Sequence, residues 1–308
     1  MQALKHSFEG GRERPCQRSE DISHRAADDK RNIAVNAANF RDVSEACELA
    51  LKPGQIYRSS EVYGCDVVTN FKIKTILDLR GPDKCSSKPK GHVYEHLGIC
   101  QPCNAHYEAC GMEGPRVHHV DFIPMHVGLC IMAKMPMKIW WKVAKGACRR
   151  EDPAKVMCPA VANPGIMGFQ ELYITLLDKS RENIAEALRL FVDPDNFPIL
   201  VHCVHGKDRT GMIIMLILLL CGVPVEAILE DYARSETLLK ESKAKNQLPM
   251  AEYLQRDDVI DAQRSNLEGA LTHIDFRYGG ISRYLKKIGI TDFERKSIRR
   301  NLVQQTSV

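Results

Sequence analysis

The 308 residues predict an α/β fold, a central and mostly parallel sheet flanked by helices on both faces. Three stretches carry that expectation. Thr75 to Leu79 and Ile199 to Val201 are short, apolar and partly β-branched, the composition of strands buried on both sides. Met212 to Leu220 is continuously apolar and ends at Cys221-Gly222-Val223-Pro224, where a glycine and then a proline stop a helix. A buried strand passing within a few residues into a buried helix is the joint from which parallel sheets are assembled.

Residues 1–31 carry 7 basic and 6 acidic side chains with almost no apolar pattern, and read as a disordered tail. They hold no apolar core of a secretory leader, and their acidic residues argue against an organelle transit peptide. Residues 32–303 read as one domain with a lid or insertion at about 98–166. Asn32 to Arg58 should supply entry strands and turns, with Lys52-Pro53-Gly54 as a turn signal. Cys65 to Ile73 has helical composition. The strand from Thr75 then carries Asp78 and Arg80 at its carboxyl edge, where open α/β sheets collect their ligand sites. A second strand is expected over Val117 to Ile123.

Between these strands, Cys100, Cys103, His106 and Cys110 put four potential zinc ligands in eleven positions. Their spacing matches no standard zinc knuckle, and no metal is expected. From Ile131 to Arg150, Lys134, Lys138 and Lys142 recur every four residues, with Met135, Ile139, Trp140 and Val143 as an apolar side and Pro136 suited to a first helical turn. The segment fits a lid helix with solvated lysines, or a basic amphipathic face making peripheral contact with an anionic membrane. Met167 to Phe191 follows as one long helix pattern, and Asp193-Pro194-Asp195 turns the chain into the next strand. Beyond Pro224, Val225 to Tyr232 reads as a helix, Ser235 to Asn246 as an exposed connection, and Leu267–Ile274 and Ser282–Ile288 as a helical cap around Gly279-Gly280.

The net charge of +4 favours anionic substrates or surfaces without choosing among them, and no nucleic-acid partner is expected. Twelve cysteines in 308 residues do not make a disulfide scaffold. The longest apolar run, Met212 to Leu220, falls far short of the roughly 20 residues that span a bilayer. A soluble protein in the reducing cytoplasm is the expectation; the oligomeric state stays open.

The chemistry concentrates between Phe197 and Gly211. Five residues separate Cys203 from Arg209, enough to curl the backbone so that successive N–H groups converge, with the positive end of the following helix behind them. Such a nest suits a dianion and favours the ionised form of a thiol at its floor. Cys203 is then a nucleophile, and Arg209 can hold two phosphoryl oxygens bidentately. Thr210 can bond the sulfur or the departing group. Val204, His205, Gly206 and Lys207 complete the cradle, with His205 and Lys207 adding to a positive rim.

The string His202-Cys203-x-x-Gly206-Lys207-Asp208-Arg209-Thr210-Gly211 resembles the signature of cysteine-dependent protein tyrosine phosphatases, in the form of the bacterial-type branch. Asn39-Phe40-Arg41-Asp42-Val43, Ile56-Tyr57-Arg58-Ser59, Thr75 to Arg80 and Tyr278-Gly279-Gly280 through Tyr284-Leu285 resemble its secondary motifs, so that the likeness covers most of 32–303. Ser44 and Glu45 stand where that branch has a glycine pair. The resemblance implies hydrolysis of phosphotyrosine, or of phosphoinositides, through a phosphocysteine and without a cofactor. It also implies that Asn39 to Asp42 lie beside the active site, that His202 orders the loop, and that Asp208 protonates the leaving group. Asp121, after the second strand pattern, is the alternative acid. Arg41, Asp42 and Arg58 fit a supporting layer behind the loop as well as an ordinary ion-pair group.

Overall fold

The structure is a computed structural model, and it describes residues 37–47, 50–62, 66–80, 114–248 and 250–304. The chain divides into two units, 1–34 and 35–308. Everything below concerns the second. The proposed tail and the Cys100, Cys103, His106, Cys110 group lie outside the described residues.

Five strands form one sheet in the order β1-β2-β5-β3-β4: β1 Arg41–Asp42, β2 Ile56–Ser59, β3 Thr75–Asp78, β4 Arg116–His119 and β5 Ile199–His202. Only β1 is antiparallel, pairing with β2; β2 and β3 flank β5 in parallel, and β4 runs parallel to β3. The α/β class with a mostly parallel sheet is therefore as expected.

Pleating sends alternate side chains to opposite faces. Ile56, Leu77, Ile199 and Val201 enter the larger core, while Tyr57, Ile76 and Leu200 meet a smaller one with Val67 and Val68 from α1 (Asp66–Asn70) and Phe71 just after it. Phe40 stacks on Tyr57 there, with ring centroids 5.5 Å apart.

In chain order the other helices are α2 Met125–Ala133, α3 Met137–Cys148, α4 Ala154–Ala162, α5 Phe169–Lys179, α6 Arg181–Arg189 and α7 Asp208–Cys221. They continue with α8 Val225–Ala244, α9 Asp257–Ile260, α10 Arg264–His273, α11 Ile281–Lys287 and α12 Asp292–Leu302. The apolar run from Met212 to Leu218 is buried on every side because α6, α8, α11 and α12 surround α7 opposite β5. Gly222, in the left-handed region at φ 83°, ends that helix, and Val223 N donates back to Leu218 O at 3.0 Å.

Several boundaries differ from the sequence expectation. The strand at 116 stops at His119, so Asp121 lies in the turn before α2, where its Oδ1 accepts from Ile123 N at 3.1 Å. The single helix expected over 167–191 is two, broken at Ser180, whose hydroxyl donates to Phe122 O at 2.8 Å. The connection expected at 235–246 is largely helical, continuing α8 to Ala244, because Ser235 and Leu239 extend its buried face. Helix α12 was missed, although Thr291 and Glu294 form a capping box that marks its start.

The basic segment at 131–150 is also divided, with Pro136 as the cap preceding α3. Lys134 bonds Glu171 and, at 2.8 Å, the Thr175 hydroxyl of α5, which removes it from the lysine stripe. Ile139 is buried, whereas Met137 and Trp141 are 70% and 72% exposed. Among the described residues no helix is long and apolar enough to cross a membrane.

Candidate active site

Strand β5 is the centre of the sheet, so its carboxyl end opens between the ends of β2 and β3. Cys203 is the first residue past it. Residue 203 is buried, with 1% of its surface exposed, and Val204 to Lys207 curl from it into α7. That helix begins four residues before Met212, so Asp208, Arg209 and Thr210 already form its first turn.

Three consecutive carbonyls of the loop are drawn outward by residues beyond it. Val204 O accepts from Glu61 N at 2.9 Å, His205 O from Asn39 Nδ2 at 2.9 Å, and Gly206 O from Arg58 Nη2 at 2.7 Å. In a trans peptide the N–H points opposite to the C=O. The N–H groups of His205, Gly206 and Lys207 are therefore turned the other way, into the concave side of the loop, ahead of the α7 N-terminus. Gly206 has φ +66°, and a Cβ on it would sit 2.0 Å from Ser59 O, so the close passage over β2 requires glycine.

Two of the three residues pulling on those carbonyls, Asn39 and Arg58, are fixed by one carboxylate that sequence reasoning missed. Asp231 of α8 accepts from Arg41 Nε at 2.7 Å through Oδ1 and from Arg58 Nη1 through Oδ2. Arg41 also bonds the Asn39 side chain, the same amide that holds His205 O. Arg41 and Arg58 face each other across the β1–β2 ladder, which places both guanidiniums at one carboxylate. Burial would raise the Asp231 pKa, but the adjacent Arg58 and Arg41 outweigh it and hold the group below its ordinary value. Burial, reinforced by the charge of Arg58, lowers Arg41 to about 10. A signal for Asp231 existed: it shares a helical face with Ile228, Tyr232, Ser235 and Leu239, an acid on an otherwise buried stripe.

A second ion group lies beneath β3. Asp78, fully buried, takes Arg80 Nε and Nη2 at 2.8 and 2.7 Å, with His119 at 3.4 Å and His202 Nε2 at 3.8 Å. Desolvation opposes its charge, yet His202 and Arg80 keep it well below the usual carboxylate range. Arg80 bridges onward to Glu61, whose backbone holds Val204 O. His202 also donates Nδ1–H to Cys203 O at 3.3 Å. Arg209 is partly exposed, and its Nη1 donates to Leu79 O at 3.1 Å, bracing the loop against the end of β3.

Other expectations need correction. Lys207 does not join a positive rim: it is fully buried, with Nζ donating to Val259 O at 2.9 Å and Asp261 O at 2.5 Å, 3.7 Å from the Phe169 ring centroid. His205 points inward too, donating to Leu254 O at 2.8 Å, and burial next to Lys207 lowers its pKa to about 4, so it is neutral at pH 7. Both side chains are drawn to backbone carbonyls of the 254–261 segment, which offers desolvated donors the partners they need. Asp42 turns from the loop as well, accepting from Ser44 N at 2.9 Å and Gly54 N at 2.6 Å. It thereby caps the short 3-10 turn that Ser44 and Glu45 build in place of a glycine pair.

Asp208 is only partly buried, and its contacts use one oxygen. Oδ1 accepts from Tyr173 Oη at 2.6 Å and lies 3.4 Å from Lys207 Nζ. Thr210 Oγ1 is buried with no hydrogen-bond partner among the described residues. No group of three or more His, Cys, Asp or Glu that could hold a metal occurs among the described residues.

Comparison with known proteins agrees with this geometry. The chain is 32% identical over 143 residues to a tyrosine-protein phosphatase of Nostoc commune, a match covering 44% of this chain and 49%, about half, of that protein. It is 29% identical over 279 residues to the triple specificity protein phosphatase PtpB of Mycobacterium tuberculosis, covering 83% of this chain and 92% of that one. A shorter stretch of 64 residues is 36% identical to an inositol diphosphatase of Arabidopsis thaliana, covering 21% of this chain and 24% of that protein. The profile of the tyrosine phosphatase family matches residues 34–304. With a strand, an outward-pinned loop and a buried helix in the arrangement its signature demands, the chain belongs to the tyrosine phosphatase family.

Proposed function

We propose that the chain hydrolyses phosphotyrosine monoesters through a phosphocysteine intermediate, with Cys203 as nucleophile. The observation that carries this reading is the outward pinning of the Val204, His205 and Gly206 carbonyls, which leaves a ring of N–H donors above a cysteine. The Cys203 thiolate attacks phosphorus in line; the S–P bond forms as the ester P–O bond breaks, and the departing phenoxide takes a proton from Asp208. Asp208, now a carboxylate, accepts a proton from the water that cleaves the S–P bond, releasing phosphate and restoring the thiolate. Arg209 and the inward N–H groups of residues 205–207 stabilise the transferring group in both steps.

Asp208 is the acid in this scheme because Tyr173 and Lys207 both address its Oδ1, which leaves Oδ2 to carry the proton. Thr210 has a spare buried hydroxyl for the sulfur or the phosphoryl oxygens. His202, Asn39, Arg41, Arg58, Asp78 and Arg80 act by positioning the loop. A nucleophilic thiolate requires reduced cysteine, which agrees with residence in the cytoplasm.

A second substrate class is favoured by one feature. Helix α3 presents exposed Met137 and Trp141 between Lys138, Lys142 and Lys145, a face suited to an anionic membrane carrying phosphoinositides. The names of the Mycobacterium and Arabidopsis relatives point to protein and inositol phosphate substrates among similar chains.

The deciding experiment is phosphate release from phosphotyrosine peptides and from a phosphoinositide panel, in parallel, with Cys203→Ser as control. Release from the peptides that vanishes in the variant is expected; turnover persisting without the sulfur removes the mechanism. Flotation with anionic vesicles tests the membrane face, and Trp141→Ala with Met137→Ala should reduce recovery. Equal recovery of the two chains discards that face.

A further inference from the structure

We propose that the protein carries a second anion site, for a compact polyphosphorylated ligand, between the start of α6, the π-helical turn Ile274–Tyr278 and α11. None of the residues lining it belongs to the Cys203 loop. A cleft of about 500 Å³ is lined by Arg181, Arg277, Tyr278, Arg283 and Lys287. Its volume falls within the range of small-molecule sites.

Four cations and no carboxylate line this cleft. Like charges gathered around one hollow repel each other, and a bound anion relieves that repulsion. The nearest acid is already engaged. Asp178 accepts from Tyr278 Oη and from His273 Nε2 at 3.0 Å and lies 4.0 Å from Arg181 Nη2; burial opposes its charge, but the two hydrogen bonds and the charges of His273 and Arg181 hold its pKa below the ordinary value. Asp275, on the same turn, is not among the lining residues.

Arg181 supplies the more specific evidence. Its Nη2 donates to Tyr278 Oη at 2.9 Å and its guanidinium carbon is 5.6 Å from that ring centroid, so the group is oriented. Its Nε is buried and has no partner among the described residues, so it is Nη1 and the exposed edge of the guanidinium that are left to meet a ligand in the cleft. Gly279 and Gly280, at φ +73° and +104°, reverse the chain between Arg277 and Arg283 so that both reach the same hollow. Arg283 crosses the turn so closely that a Cβ on Gly279 would lie 2.5 Å from its Nη1. The guanidiniums of Arg277 and Arg283 and the ammonium of Lys287, with Arg181 adding its charge beside Tyr278, match a ligand with several phosphates better than one with a single phosphate. Inositol polyphosphates and linear polyphosphates share that chemistry.

The test is calorimetric titration of the 308-residue Cys203→Ser, Arg209→Ala chain with inositol hexakisphosphate, and separately with tripolyphosphate, at ~0.15 M salt. One or both should bind, and adding Arg283→Gln with Lys287→Gln should weaken binding by about tenfold or more. Binding absent from the first chain, unchanged by the added pair, or equally weakened by Lys138→Gln with Lys142→Gln overturns the site. In the otherwise native chain, the Arg283→Gln, Lys287→Gln pair should lower ligand stoichiometry by one while turnover of a small aryl phosphate stays unchanged. Stoichiometry that does not fall also overturns it. None of these outcomes depends on which substrate Cys203 serves.

Discussion

Arg58 Nη2 donates to the carbonyl oxygen of Gly206 at 2.7 Å, and Nη1 of the same buried guanidinium is held by Asp231. Through that side chain a carboxylate on α8 sets the direction of a peptide in the Cys203 loop. A parallel route runs from Asp231 through Arg41 and Asn39 to the neighbouring carbonyl of His205.

Asp231→Asn should therefore damage both stability and turnover. It leaves two guanidiniums in the interior without their counter-charge, a loss of roughly 3–5 kcal/mol for a broken buried pair. Urea denaturation followed by circular dichroism measures the first effect and kcat on an aryl phosphate the second. A variant as stable and active as the parent would show that the loop is set by other contacts.

Gly206→Ala tests the close passage over β2 alone. The αL conformation costs a residue with a Cβ about 1–2 kcal/mol, and the Cβ would also overlap Ser59 O, with 2.0 Å between them. Activity should fall by about a hundredfold or more as the N–H ring is displaced. Retention of more than half the parent kcat/KM would contradict the outward-pinned loop.

His205 gives a pH dependence with a definite sign. Its folded pKa, about 4, lies below the ordinary 6.5, so the unfolded chain takes up a proton that the folded chain refuses. Stability contributed by the neutral ring is complete above pH 6.5 and is lost as pH falls toward 4, by up to about 3 kcal/mol. His205→Gln keeps a donor for Leu254 O but does not titrate. Its unfolding free energy should fall less steeply over that interval, and parallel curves for the two proteins would place the acid sensitivity elsewhere.

Leaving-group dependence separates the two candidate acids. Asp208→Asn should slow hydrolysis of phenyl phosphate about 100- to 10,000-fold while affecting a nitrophenyl ester much less, because a good leaving group needs no proton. Asp121→Asn, whose side chain is spent on the Ile123 N–H, should leave both esters within about threefold of the parent. The reverse pattern would transfer the role to Asp121.

The sequence alone determined the α/β class and the strand-loop-helix joint. Ile199 to Val201 and Met212 to Leu218 are apolar enough to be buried wherever they lie, and Cys203 and Arg209 sit at a spacing long enough for a curled loop between them. What the sequence did not contain was direction. Lys207 and His205, read as a cationic rim, turn inward because the 254–261 segment offers carbonyls to them, and that segment is some fifty residues away in the chain. Asp231 has the same origin: an acid on α8 becomes the anchor of the loop only once β1 and β2 bring Arg41 and Arg58 side by side. Hydrophobic pattern is local and survives in one dimension, whereas the partner of a buried polar group is fixed by whichever distant backbone or charge the fold places beside it.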